Sequence, residues 1–345
     1  MTIPLSILDV SPVSSGSTSA QALRNTIDLA KFADQRGFTR FWLAEHHNTA
    51  SIASTTPDIM IGQVARETQH IRVGSGGVML PNHAPLKVAE SFKLLEALYP
   101  QRIDLGIGRA PGTDTRTALA LRRSVEALNA EDFPQELAEL QAFASGDFPA
   151  DHPFKAVKAY PQDVTLPPIW LLGSSGFSSQ LAAARGTGFA FAHHINGDAA
   201  IPAMLLYRQH FRPSAQFPEP HAILAVSAIC ADTDEEAEEL ALSVAFSFFR
   251  LYAGLPTGAL PSPAEVKAYN LTEEQRQLFA SIRSKHFVGS PTTVRAQLAD
   301  LIRQAQADEL MILTMVHDHA ARLHSYNLVA TEFELQPVAV AQESL

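Results

Sequence analysis

The stretch Phe41-Trp42-Leu43-Ala44-Glu45-His46-His47-Asn48 decides the fold. Its first four residues are an apolar run of strand length, and its last four are polar or titratable. A parallel strand covered on both faces by helices reads as such an unbroken apolar run. In an α/β barrel only the C-terminal strand end opens onto a pocket, so titratable groups gathered there point to an active site. A satisfied polar network would look the same in isolation, because histidines have structural roles as well. The neighbouring chain has to decide.

Working outward, residues 3–10 read as a strand, and residues 20–36 as a helix with Leu23, Ile27, Ala30 and Phe32 at helical spacing and Gly37 as its stop. Downstream come a helix over about 57–68, a strand over 71–80, a helix opened by Pro85 and running to Leu98, and a strand over 103–107. A long polar, helical segment then interrupts the rhythm up to Pro167, with helices expected over 119–128 and 133–144. The alternation resumes with strands over 169–172, 189–193, 222–231 and 309–314, separated by helical stretches. Residues 254–289, proline-rich first and polar later, read as a second excursion and a candidate lid. Strand-helix alternation builds a parallel sheet, either open and doubly wound or closed. The eight strands favour an α/β fold of the closed kind, a parallel (β/α)8 TIM barrel with insertions.

Composition narrows the function. The 345 residues carry 26 Lys and Arg against 36 Asp and Glu, a formal net charge of -10, with no basic stripe among aromatics, so nucleic acid is not an expected partner. Cys230 is the sole cysteine, which rules out an internal disulfide and a cysteine-built metal site. No run approaches the roughly 20 apolar residues of a membrane span, and the N-terminal residues lack a positively charged leader. A cytoplasmic protein without a membrane partner is the expectation.

Further strand ends carry chemistry. Gly74-Ser75-Gly76-Gly77 places four small residues in one strand, which either mark a bulge or let something flat approach the backbone. Asp104 to Gly112 brushes against a dinucleotide fingerprint, but its third glycine is displaced; Arg109, on a glycine-flanked turn, reads better as an anion clamp. In Gly173-Ser174-Ser175-Gly176-Phe177-Ser178, hydroxyls and free N–H groups at a helix start suit a phosphate, although serines there often serve only as caps. His193-His194 end another strand, where an imidazole could touch a ring. His46 and His47, being adjacent, point to opposite faces on a strand, which disfavours one metal chelated by both. In His317-Asp318-His319 the aspartate stands where a helix cap belongs, so a metal tripod is disfavoured.

Together WLAEHHN (42–48), VGSGGVMLPNHAPLKVAE (73–90), RIDLGIGRAPG (102–112) and LLGSSGFSSQLAA (171–183) resemble the bacterial luciferase-like flavin-dependent monooxygenases, most closely the single-chain alkanal-monooxygenase-like members. The resemblance spans nearly the whole chain. It implies one barrel domain over residues 1–345 with inserted segments at about 109–167 and 254–289, binding FMN at the C-terminal strand ends. It further implies reduced FMN as cosubstrate from a separate flavin reductase, and O2 activation through a flavin hydroperoxide that oxygenates a small organic substrate such as an aldehyde. Within it His46 matches the catalytic histidine, Gly76 and Gly77 the pair whose non-proline cis peptide supports the ring, and Arg109, Ser174, Ser175 and Ser178 the phosphate ligands; a serine stands where luciferase has glutamate in that loop. His193 is the strand-end imidazole placed at the cofactor. No metal site is implied, and a homodimer is the usual state. The other readings are a flavin reductase or oxidoreductase on the same barrel and a flavin-binding protein without turnover.

Overall fold

The computed structural model describes residues 3–110, 112–129 and 132–338; the ends of the expected 1–345 span lie outside the described residues. Ten strands occur in chain order: β1 (Leu5–Asp9), β2 (Arg40–Leu43), β3 (Arg72–Ser75), β4 (Val78–Met79), β5 (Ile103–Gly108), β6 (Ile169–Gly173), β7 (Gly188–Ala192), β8 (Ala222–Cys230), β9 (Phe287–Gly289) and β10 (Glu309–Leu313). Parallel pairing runs β1-β2-β3-β5-β6-β7-β8-β10 and returns to β1, which closes an eight-stranded barrel with helices between its strands. The two extra strands lie off this ring, β4 on β5 and β9 on the C-terminal end of β8. The stretch read as one strand over 71–80 is therefore interrupted: a cis Gly76-Gly77 peptide separates β3 from β4, and a 3-10 turn, Leu80–Asn82, follows.

Helix boundaries follow local chemistry. Helix Ser19–Arg36 starts where the Thr18 hydroxyl accepts from the Gln21 N–H and stops at Gly37, whose φ of 82° suits a left-handed cap. Helix Pro85–Leu98 begins with proline in its first turn, where no N–H partner is needed. Asp318 accepts from the Ala321 N–H and caps the last helix, His319–Glu332, as its position suggested.

Strand parity sorts the core into two layers. Leu5, Ile7, Phe41, Leu43, Val73, Leu105, Leu171, Phe191 and Leu224 join the cluster between barrel and helices, whereas Leu8, Trp42, Ala44, Trp170, Ala190, Ile223, Ala225 and Met311 form the cluster inside the barrel. Trp42 and Trp170 meet edge to face, 5.5 Å between centroids, and fill the middle. Gly188 is there because a Cβ at that position would collide with the Trp170 ring. The N-terminal end is closed by charge: Arg40 bonds Asp104 at 2.7 Å and Glu309 at 3.0 Å, Arg72 also holds Asp104, and the Ser6 hydroxyl donates to Glu309. Removing one member would strand a buried charge at a cost of about 3–5 kcal/mol. That end is a structural plug, and the pocket has to lie at the other.

Both excursions carry helices among the described residues. The first carries helices Thr115–Arg122, Val125–Asn129 and Phe133–Ser145, and the last buries Phe133, Leu137, Leu140 and Phe143. The second carries helices Pro263–Lys267 and Glu273–Arg283 and then β9, which the sequence reading did not count. It packs Val266 and Ile282 against Phe246 and Phe249 of helix Asp234–Tyr252. Leu260 exchanges backbone hydrogen bonds with Val13 and Ser15 after β1, so this segment runs over the C-terminal end of the barrel.

Candidate active site

Past β2 the backbone stays satisfied: the His46 N–H donates to the Ser54 carbonyl and the His47 N–H to that of Gly112. Glu45, only 1% exposed, accepts from the Met79 N–H at 3.0 Å and pairs with His47 Nε2 at 2.9 Å and His83 Nε2 at 2.8 Å. Burial alone would raise its pKa, but these hydrogen bonds, that of His83 foremost, hold it below the usual carboxylate range. In return His83 is raised, burial opposing and the Glu45 carboxylate prevailing.

His46 makes no hydrogen bond with Glu45. Its Nδ1 is buried without a partner, and burial lowers its pKa despite the nearby Glu45 charge. At neutral pH it is an uncharged imidazole with one ring nitrogen unsatisfied, which suits a group that awaits a proton donor or acceptor. Glu45 acts on His46 only through the charge of its carboxylate, without a hydrogen bond between them. The fold instead directs the carboxylate to His47 and His83.

At the end of β7, the His193 N–H donates to the Ala225 carbonyl and its ring packs 5.3 Å from that of Phe287, with Nδ1 buried and unpartnered. His194 lies near enough to feel both neighbouring imidazoles: burial first, then His193 and His46, bring it down to about 4. Its Nδ1 lies 3.2 Å from the Ala225 carbonyl. A carbonyl only accepts, so Nδ1 carries the proton and Nε2 is a bare acceptor. His286 of the second excursion lies beyond, with Nδ1 2.7 Å from the Ser227 hydroxyl, brought down to about 3 chiefly by burial. The sequence does not single out His83, Ser227 or His286, and it offers His194 only jointly with His193 as an imidazole that could touch a ring. Extending the inward parity of Ala190 and Ala192 would have found His194, and that of Ala225 would have found Ser227.

Below these imidazoles the inward positions carry almost no side chain: Ala44, Gly76, Gly108, Ala192 and Ala225. A Cβ on Gly77 would stand 2.7 Å from the Gly106 carbonyl oxygen, and one on Gly106 would collide with that of Ser75, so backbone lies directly on backbone there.

One rim segment suits an anion. Arg109, just past β5, lies over the Phe177 ring with 4.3 Å to its centroid, in the first turn of helix Gly176–Arg185. Ser175 caps this helix in extended conformation without a side-chain cap bond, Ser178 is buried, and Ser174 receives the Asn196 amide on its carbonyl at 3.0 Å. The open N–H groups, the helix dipole and the guanidinium favour the same charge. His46, Gly76, Gly77, Arg109, Ser174, Ser175, Ser178 and His193 thus occupy the ends of β2, β3, β5, β6 and β7, consecutive in the barrel. The arc brings together small residues, imidazoles held neutral by burial, and an end whose charge and N–H groups favour an anion. Among the described residues no group of three metal-ligating side chains occurs, and no helix is long and apolar enough to cross a membrane.

Known proteins resemble this chain over nearly its whole length. The profile of the luciferase-like monooxygenase family matches residues 3–309. A luciferase-like monooxygenase of Escherichia coli K12 is 42% identical over 327 residues, covering 95% of this chain and 96% of the relative. The crystal structure of apo-MsnO8 superposes with a TM-score of 0.87 at 39% identity, covering 98% of this chain and 99% of that one. At 18% identity, where likeness speaks for the fold alone, the oxygenating constituent of 3,6-diketocamphane monooxygenase from Pseudomonas putida, solved in complex with FMN, has a TM-score of 0.70, with 99% and 100% coverage. This chain belongs to the luciferase-like monooxygenase family.

Proposed function

We propose that the protein is the oxygenating component of a two-component system, taking reduced FMN from a separate reductase and inserting one oxygen atom of O2 into a small organic substrate. The observation that carries this is the closely packed backbone at Gly76-Gly77 and Gly106, where nothing larger than glycine fits, on strands neighbouring those that lead to His46 and to the uncapped helix start at Ser175, over whose first turn Arg109 lies. The residues fit the group. A flat ring needs a floor where no Cβ would intrude, a phosphate monoester needs converging donors, and both are present on neighbouring strands.

When bound, reduced flavin supplies the electrons that activate dioxygen. The chain's own residues do the rest. Arg109, Ser174, Ser175 and Ser178 hold the phosphate, Gly76 and Gly77 seat the ring, and His193 borders it. His46 holds or accepts a proton at Nδ1, where no protein partner competes. Residues 254–289, anchored at Leu260 and β9, act as a lid that keeps water from the mouth. A homodimer would cover Ile59, Leu94 and Leu98, exposed on helices Pro57–Glu67 and Pro85–Leu98; sedimentation showing a monomer at micromolar concentration would refute that.

The test is anaerobic titration with photoreduced FMN, followed by heavy-isotope dioxygen and a panel of aldehydes, ketones and thioethers. The expected outcome is binding of reduced FMN and a product carrying one labelled oxygen. Oxidation of NADH by protein that retains FMN through purification, with no labelled product, would establish the reductase instead.

A further inference from the structure

Ser227 occupies the inward position of β8 beyond Ala225, and the pairing of Ala228 with Phe287 sets His286 opposite it. Both side chains are buried, Ser227 at 0% and His286 at 7% exposure, and the Ser227 hydroxyl and His286 Nδ1 are 2.7 Å apart. Neither side chain makes another hydrogen bond among the described residues. Two proton arrangements satisfy that contact. If Nδ1–H donated to the serine, the buried hydroxyl proton would have no acceptor, at a cost of about 1–3 kcal/mol. If the hydroxyl donates to Nδ1, every proton is placed except the one on Nε2, which a neutral imidazole then offers outward. Charge supports neutrality: Arg283, Lys285 and His194 face the ring, and no carboxylate hydrogen-bonds to it.

Around His286 the surface is aromatic. Phe248 lies 5.8 Å from its ring, Tyr252 stacks on Phe248 at 6.3 Å, and Tyr252 and Leu251 are more than half exposed. Tyr252, with the Lys285 ammonium 5.7 Å from its ring centroid, and Phe248 thus form a row of rings from solvent to His286.

We propose that His286 is a substrate-binding residue, donating its Nε2–H to a neutral acceptor oxygen of a substrate whose apolar body lies along Phe248 and Tyr252. The proposal rests on the flavin reading above and names the side of the mouth that its substrate occupies. An uncharged single donor selects a carbonyl-type oxygen over an apolar group, since a chain without an acceptor would leave the Nε2–H buried and unpaired.

The experiment uses the full chain with reduced FMN under anaerobic conditions and two probes of equal length, octanone and octane, with binding followed by ligand-observed NMR. Wild type is expected to bind octanone and to bind octane at least several-fold more weakly. His286→Phe, which keeps an aromatic ring without the donor, should weaken octanone about five- to ten-fold. His286→Gln, which returns an N–H at similar reach, should restore most of it. Ser227→Ala, which frees the tautomer, should give an intermediate loss. Thermal melting of each variant separates misfolding from lost recognition. Equal affinity of wild type for both probes, or octanone binding indifferent to His286→Phe in a folded protein, overturns the proposal. Failure of wild type to bind reduced FMN in the same samples would bring down the flavin reading instead.

Discussion

Glu45 Oε1 lies 2.8 Å from His83 Nε2, so the carboxylate adjacent to His46 in sequence is bound to a histidine after β4 and not to the candidate catalytic imidazole. The pair clamps the β2 end to the 3-10 turn Leu80–Asn82, and with it the rim that carries Gly76 and Gly77. Glu45→Gln would leave the half-buried His83 without its acceptor charge. A loss of about 1–3 kcal/mol in urea unfolding is expected, together with a fall of the His83 pKa in ring-proton NMR. An unchanged His83 titration would show that another group raises it.

His46→Ala removes the imidazole with the unpartnered Nδ1. Because that atom bonds no protein group, folding and reduced-FMN affinity should be nearly unaffected, while labelled-oxygen product per flavin oxidised should drop about 10²- to 10⁴-fold. Peroxide release should rise in proportion. Unchanged coupling would remove His46 from the chemistry.

Arg109→Ala tests the anion end. Losing one charge-assisted contact to a phosphate is worth about 1.5–3 kcal/mol, so FMN should bind some ten- to hundred-fold more weakly. Riboflavin, without the phosphate, should be affected little. Equal losses for both flavins would mean that Arg109 acts through its stacking on Phe177.

Stability should fall on acidification through a definable window. His194 and His286 are brought down from an ordinary 6.5 to about 4 and about 3, chiefly by burial. Below pH 6.5 the unfolded chain takes up protons that the folded chain refuses, so their contribution is full above that pH and lost as pH falls through the folded values. Each group contributes at most about 1.4 kcal/mol per pH unit. His83 has the opposite sign, its raised pKa stabilising below 6.5 and losing effect as pH rises through the folded value. Chemical denaturation between pH 7 and 4 should therefore show a decline that is shallower in His286→Gln; equal slopes would mean that His286 is not buried in its neutral form.

Much of this architecture was legible in the chain because its signals are local. Apolar runs such as 41–44, helix stops such as Gly37 and caps such as Asp318 each act within a few residues, and eight such strands close the barrel. Glycines at 76 and 77 were legible as small, and Arg109 and the serines as side chains able to meet an anion, since residue type alone limits what they can do. Tertiary structure decided the pairings. Glu45 reaches His83 across 38 positions and His286 reaches Ser227 across 59, and nothing in either local sequence favours those partners. The three-residue β9 is too short to show a period of two; it exists because the exposed edge of β8 past Ser227 accepts it. Which imidazole faces the mouth was likewise settled by where each strand ends and the turn begins, a choice made by packing between distant segments.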